Sequence, residues 1–211
     1  MSTKIGTVFL VDDEPGMLRA LTRLLKVEGF SVRGYTSAQE FLDSYCAEEP
    51  CCVVLDVAMP GLNGLELQQK LTRAGILMPI VFLTGRGDIP MTVQAIKAGA
   101  VDFLTKPVAD EAILRAVRAA LKRAVEQHEE VVELRLLRWR HNQLTPRESE
   151  VMQHVVAGRL NKQIAADLGT CEQTIKVHRA RVMEKMGVAS LADLVRAAER
   201  LGSGGSYVPG T

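Results

Sequence analysis

The 211-residue chain lacks any apolar run long enough to cross a membrane as a helix. Its first apolar stretch, Thr7 to Val11, is short and set between polar residues rather than behind a basic segment, which predicts no secretory leader. A cytoplasmic location is therefore expected, with no membrane partner. Cysteine is scarce and never spaced C-x-x-C: Cys46, Cys51, Cys52 and Cys171 form no zinc or redox motif. They are expected to be reduced, buried, small apolar residues, with Cys51 and Cys52 on opposite faces of a strand. Charge of one sign is lacking too, the net being +1. Residues 1–120 carry 12 basic and 14 acidic side chains, 121–140 five and four, and 141–211 nine and seven. That mild asymmetry does not by itself establish nucleic-acid binding.

What is present has a period. Short β-branched runs near 7–11, 31–35, 52–56, 79–84 and 102–105 alternate with helical patterns, a fivefold β/α repeat. Runs as continuously apolar as Val53-Val54-Leu55 and Ile80-Val81-Phe82-Leu83 suit a parallel sheet covered on both faces. Ser37 can cap one helix, and Asn63 with Glu66 resembles a capping box opening another. Neither Gly nor Pro interrupts the stretch between Pro107 and Pro146, so a last domain helix is expected to run on as a connector. The first half of its apolar stripe is assigned to packing on the sheet. The second half, in "EQHEEVVELRLLRWRHN", leaves a dimer seam open.

An acid at the end of a buried strand needs a reason, because burying a carboxylate costs several kcal/mol or more unless it is compensated. In open parallel sheets ligands bind beyond the carboxyl ends of the strands. There the sequence places Asp12 and Asp13 after the first strand, Asp56 at the third, Thr84 at the fourth, and Lys106 after the fifth. Gathered acids repel one another, and a hard divalent cation with oxygen ligands relieves the repulsion; Mg²⁺, which also binds phosphate oxygens, suits a shallow edge. Asp56 then reads as a nucleophile for a phosphoryl group, Lys106 as its cationic partner and Thr84 as a hydroxyl donor. Taken alone, Asp12-Asp13 could equally be a helix cap; it is the joint placement of all five at strand ends that favours chemistry.

The stretches "VFLVDDE", "VVLDVAMPGLNG", "VFLTGRGD" and "DFLTKP" resemble the receiver domain of two-component response regulators over residues 5 to about 122. The resemblance implies a flavodoxin-like fold with strand order 2-1-3-4-5 and phosphorylation of Asp56 by a sensor histidine kinase. It implies that Asp13 and Asp56 ligate Mg²⁺ directly, that Asp12 acts largely through water, and that the carbonyl of Ala58 completes the protein ligands. Ala58 departs from the longer side chain usual in relatives, which alters the rim of the site rather than the carbonyl ligand. Phe103, three residues before Lys106, holds the switch-aromatic position, a role compatible with that of a core aromatic.

Past the connector, "LTPRESEV" restarts structure, with Thr145 as N-cap, Pro146 at the first helical position and Glu148 at the third. Four helices are expected near 146–157, 162–168, 172–186 and 190–200, broken at Gly158, Gly169-Thr170 and Gly187, followed by a flexible tail from 202 to 211. "NKQIAADLGTCEQTIKVHRARVMEKMGV" has helix-turn-helix form, with Ile164, Ala165 and Leu168 inward. On the second helix Ile175, Val182 and Met186 point to the core, and Gln173, Lys176, Val177, Ala180 and Arg181 point away. That outer set fits a major groove: Lys176 for guanine edges, Val177 for a thymine methyl, Ala180 for close approach. Lys162, His178, Arg179 and Arg181 suit phosphates, and Thr174, near the start of that helix, is a further candidate DNA contact. A merely solvated face remains the alternative on spacing alone.

Residues 143–201 resemble the LuxR-type, or NarL/FixJ-type, four-helix DNA-binding domain. Two departures fall at the turn: Thr170 stands where an aliphatic residue is usual, and Cys171 where Ser is, removing the N-cap hydroxyl of the recognition helix at a cost of about 1 kcal/mol. Thr170 is a candidate to cap one residue early. The whole is read as a receiver (1–122), a helical linker (123–142), a LuxR-type helix-turn-helix domain (143–201) and a tail. It is expected to be a transcription regulator rather than an enzyme, with promoter DNA, a histidine kinase, RNA polymerase and a second copy of itself as partners. An aspartyl phosphatase is disfavoured because "LDVAMPG" is not a D-x-D loop, and a phosphorylation-independent DNA binder because all five site residues are kept.

Overall fold

The computed structural model describes residues 6–45, 50–85 and 89–203. The chain folds as two compact units, Met1–His128 and Glu129–Thr211.

In the first unit five strands, β1 (Thr7–Val11), β2 (Ser31–Tyr35), β3 (Cys51–Asp56), β4 (Ile80–Thr84) and β5 (Asp102–Thr105), form one parallel sheet in the order β2-β1-β3-β4-β5. The three central strands are buried almost end to end, whereas edge strands β2 and β5 are half exposed, which is why only the former read as unbroken apolar runs. Alternate residues feed two cores. Phe9, Val53, Leu55 and Phe82 pack on one face with Phe41 of α2 (Ala38–Ser44) and Leu67 of α3 (Gly64–Arg73). Leu10, Val54 and Leu83 pack on the other with Leu25 of α1 (Pro15–Val27) and Val117 of α5 (Asp110–Asn142). Helix α4 (Ile89–Lys97) adds Ala95 to the first core. Each fully buried Leu or Phe contributes roughly 1.5–3 kcal/mol by leaving water.

Local signals act where expected. Ser37 Oγ accepts from Glu40 N at 3.1 Å, and Asn63 and Glu66 close a reciprocal capping box at 2.9 and 3.0 Å. Cys51 and Cys52 are buried in opposite cores, but Cys171 is exposed, against the expectation that all the cysteines are buried. Cys46 lies outside the described residues, as do Arg86 to Asp88 of the "GRGD" stretch.

The second unit takes the end of α5 and four more helices, α6 (Pro146–Val156), α7 (Asn161–Asp167), α8 (Glu172–Met186) and α9 (Leu191–Ser203), around a core of Leu137, Val151, Val155, Ile164, Ile175, Val182, Met186 and Leu194. Thr145 and Glu148 form the predicted capping box. Glu148 is 2% exposed, and its Oε2 also accepts from Lys185 Nζ at 2.6 Å. Gly187 ends α8 in the left-handed region at φ 65°, a conformation that favours glycine, and a Cβ there would push the guanidinium of Arg140, 2.6 Å away, from its place. Helix α9 continues to Ser203, two residues into the stretch expected to be tail; residues 204–211 lie outside the described ones.

Candidate functional site

The carboxyl edge of the sheet gathers the predicted acids. β1 delivers Asp12, β3 delivers Asp56, and each is 4% exposed, while Asp13 beside them is exposed. The three offer carboxylate oxygens all within 4.8 Å of one another. Local turns aim them: Asp12 Oδ1 accepts from Glu14 N at 2.8 Å, and Asp56 Oδ1 accepts from Ala58 N at 3.0 Å. Lys106 reaches across from the end of β5, and its Nζ donates to Asp12 Oδ2 and to Asp56 Oδ2, both at 2.7 Å, with Glu14 Oε1 at 3.8 Å.

The electrostatics follow from that bridge. Burial pushes the Asp12 carboxyl above its ordinary range despite the hydrogen bond from Lys106. Burial alone would pull the Lys106 ammonium down, but its bonds to Asp12 and Asp56 outweigh it and the net shift is upward. A protonated lysine is thus held against two acids at the ends of neighbouring strands, Asp12 and Asp56.

Thr84, 0% exposed, ends β4 next to β3, and its carbonyl accepts from Lys106 N at 2.7 Å. Phe103 is half-buried, its ring 6.0 Å from that of Phe82 at 44°, so it belongs to the core and to the rim together. Gly64 joins the site without having been predicted for it. A Cβ on it would stand 2.4 Å from the carbonyl oxygen of Asp56, and its N donates to Val57 O at 3.1 Å, so its bareness lets α3 start tightly against the turn that carries Asp56 and Ala58. The "GLNG" of the sequence carries that signal.

The second unit presents a helix-turn-helix. On α8 Gln173, Lys176, Val177, Ala180 and Arg181 are all exposed, Val177 by 43%, opposite the buried Ile175, Val182 and Met186. Lys162 is exposed at the start of α7. Lys176 sits 3.7 Å from Glu172 in an exposed pair worth a few tenths of a kcal/mol, which does not hold it from a phosphate or base. Arg179 is half-buried and donates from Nη1 to Asn161 Oδ1 at 3.0 Å, tying α8 to α7. His178 is half-buried, and its buried Nδ1 has no hydrogen-bond partner among the described residues. Thr174 Oγ1 lies 3.1 Å from Cys171 Sγ. Cys171 itself is the N-cap, without a side-chain cap bond, and α8 starts at Glu172; Thr170 does not move the start. The bond with Thr174 Oγ1, and behind it backbone N–H groups at the helix start, lower the Cys171 thiol pKa.

A receiver sheet with an acidic carboxyl edge and a helix-turn-helix on one chain mark the DNA-binding response regulators of two-component systems, and this chain belongs to that family. Residues 8–118 match the family described as "Response regulator receiver domain", and residues 142–198 match "Bacterial regulatory proteins, luxR family". Nodulation protein W of Bradyrhizobium diazoefficiens is 46% identical over 210 residues, covering 100% of this chain and 92% of its own length. Response regulator protein TodT of Pseudomonas putida is 44% identical over 201 residues, 95% of this chain and 88% of its own. Among solved structures, response regulator StyR is similar with a TM-score of 0.82 and 44% identity, over 92% of this chain and 98% of that one.

Proposed function

We propose that Asp56 is the residue phosphorylated by a sensor histidine kinase, and that its phosphorylation governs binding of the second unit to promoter DNA. One observation carries the assignment: Lys106 spans Asp12 and Asp56 at 2.7 Å each, at the edge where Thr84 also ends. An Asp56 oxygen attacks phosphorus, the P–N bond of the phosphohistidine breaks, and the imidazole leaves with the bonding electrons. Lys106 and the Thr84 hydroxyl then face the new phosphoryl oxygens.

The donor set fits Mg²⁺, being three carboxylates with no nitrogen or sulfur ligand. Asp13 and Asp56 would hold it directly, Asp12 largely through water, with the Ala58 carbonyl as the remaining protein ligand. Bound there, it would neutralise charge on the transferring phosphoryl group.

On DNA, Lys176, Val177 and Ala180 would face base edges, with Lys162 and Arg181 on phosphates and Thr174, His178 and Arg179 supporting at the helix's flank. Residues 1–122 act as receiver, 123–142 as linker and 143–201 as reader. One small reader offers limited affinity, so two copies on paired half-sites, in the cytoplasm and within reach of RNA polymerase, complete the reading. Among the described residues no helix is long and apolar enough to cross a membrane.

The test is labelling with a small phosphodonor and Mg²⁺, which Asp56→Asn should abolish. Label persisting in that variant would move the acceptor elsewhere.

A further inference from the structure

The end of α8 is held by groups that lie outside it. Helix α5 seats Leu137 in the helical core, and half-buried Arg140, one turn further on, donates from Nη1 to Met186 O at 3.1 Å. Lys185 Nζ donates back to Gln143 O, just past the end of α5, at 3.1 Å, and to Glu148 Oε2 at 2.6 Å. Two consecutive residues of α8 are thus tied to the close of the connector. Earlier carbonyls of the last turn are satisfied by the chain's own stop, Gly187 N donating to Glu184 O and Val188 N to Met183 O. Met186 O takes its bond from the connector instead, and the arginine brings a cation to the negative end of the helix dipole. Gly187 leaves the guanidinium its seat, since a Cβ there would stand 2.6 Å from Nη1.

The exposed outer face of α8 lies towards its other end, where the N-cap, Cys171, gives no side-chain bond to the helix start. The seat of the far end therefore weighs more on the helix's angle. We propose that Arg140 is a positioning residue of the DNA reader, fixing the end of α8 and with it the angle at which that helix enters the major groove. A tilt of about 5° about Met186 moves Lys176, ten residues and ~15 Å along the helix, by ~1.3 Å. That is enough to break a hydrogen bond to a base edge, whose length tolerates only a few tenths of an ångström. Attraction to phosphates is longer in range and survives such a shift. Arg140 accordingly bears on which sequence is bound more than on whether DNA is bound, and the last turn of α5 belongs to the reader rather than serving only as a linker. The proposal rests on the reading of α8 as the recognition helix and is independent of which acid takes the phosphoryl group.

The experiment compares two duplexes, one selected from a randomised pool by the native full-length chain with phosphodonor and Mg²⁺ present, the other of random sequence. Both are measured by fluorescence anisotropy under the conditions of the selection, at one fixed salt concentration. Arg140→Met removes the donor and keeps the bulk of the stem. Gly187→Asn, a residue that tolerates left-handed backbone, displaces the guanidinium from the opposite side. Each is expected to lower the ratio of the two affinities about tenfold, the size of one lost base contact, with binding to the random duplex held within about twofold. The double variant should lose no more than either single one, because both remove the same contact. Circular dichroism and denaturant unfolding verify the fold; an Arg140 with a merely structural role would move the unfolding midpoint and leave the ratio alone. A native ratio kept in either folded variant, an equal loss on both duplexes, or losses that add in the double variant each overturns the proposal alone. A native chain that prefers no duplex sinks the reading of α8 as the recognition helix, and the proposal with it.

Discussion

At the scale of single residues, backbone approach governs the site as much as charge does. Gly64 touches the carbonyl of Asp56 so closely that a methyl group has no room, and its obstacle is main chain, which cannot rotate away. Gly64→Ala is expected to destabilise the first unit by about 1–3 kcal/mol through overpacking. It should also slow labelling of Asp56, because the turn bearing Asp56 and Ala58 must shift. Denaturant unfolding and phosphodonor labelling check the two halves, and unchanged values in both would remove Gly64 from the site. In the second unit the bond from Lys185, seconded by the Thr145 backbone, draws the Glu148 carboxyl from about 4.5 down to about 2. A depressed acid stabilises the fold above its ordinary pKa and loses that contribution as pH falls towards the folded value. Calorimetry should therefore show the helical unit's melting temperature falling between about pH 4.5 and 2. In Glu148→Gln that fall should be shallower, from a lower starting point at neutral pH.

Elements are legible where their signals are local. Ser37, Asn63 with Glu66, and Thr145 with Glu148 cap the helices that the sequence predicts for them, because a cap is decided within four residues. The central strands are legible because both faces are buried, and the acidic edge because strand ends carry ligands in such sheets. Other features depend on contacts distant in sequence. Helical spacing offers Arg179 to phosphate but does not reveal its bond to Asn161 on the neighbouring helix, eighteen positions away. Composition assigns Cys171 to a core, yet it stands exposed at the start of α8, with no cap bond from its side chain. Cys171→Ser restores a hydroxyl at that position, where the backbone is already extended as an N-cap requires. The expected gain is about 1 kcal/mol in the stability of the helical unit, measured by denaturant unfolding. No gain would mean that the Sγ contact with Thr174 already satisfies the helix start.

For the molecule as a whole, the question is how an event on one unit biases the other. A bound group shifts an equilibrium between two states only as far as it interacts differently with them. In the proposed reading Thr84 and Lys106 make that difference, and their backbones are linked, since the Thr84 carbonyl accepts from Lys106 N and Phe103 lies three residues before Lys106 on the adjacent strand. Lys106 already holds Asp56, so its charge favours the phosphorylated aspartate without requiring Thr84 to move. Thr84 ends the strand between β3 and β5; in the proposed switch, a phosphoryl group on Asp56 would draw its hydroxyl inward and leave space beside β5 for Phe103. Under that proposal Thr84→Ala should accept the phosphoryl group within a few-fold of the native rate, since Asp56, Lys106 and the other acids are intact, yet lose the rise in DNA affinity expected on phosphorylation. Fluorescence anisotropy on promoter DNA, with and without phosphodonor and Mg²⁺ at one fixed salt concentration, separates the two effects. A full rise in affinity in the Thr84→Ala chain would show that the bias is carried by Lys106 or by charge alone, with Phe103 a core residue and nothing more.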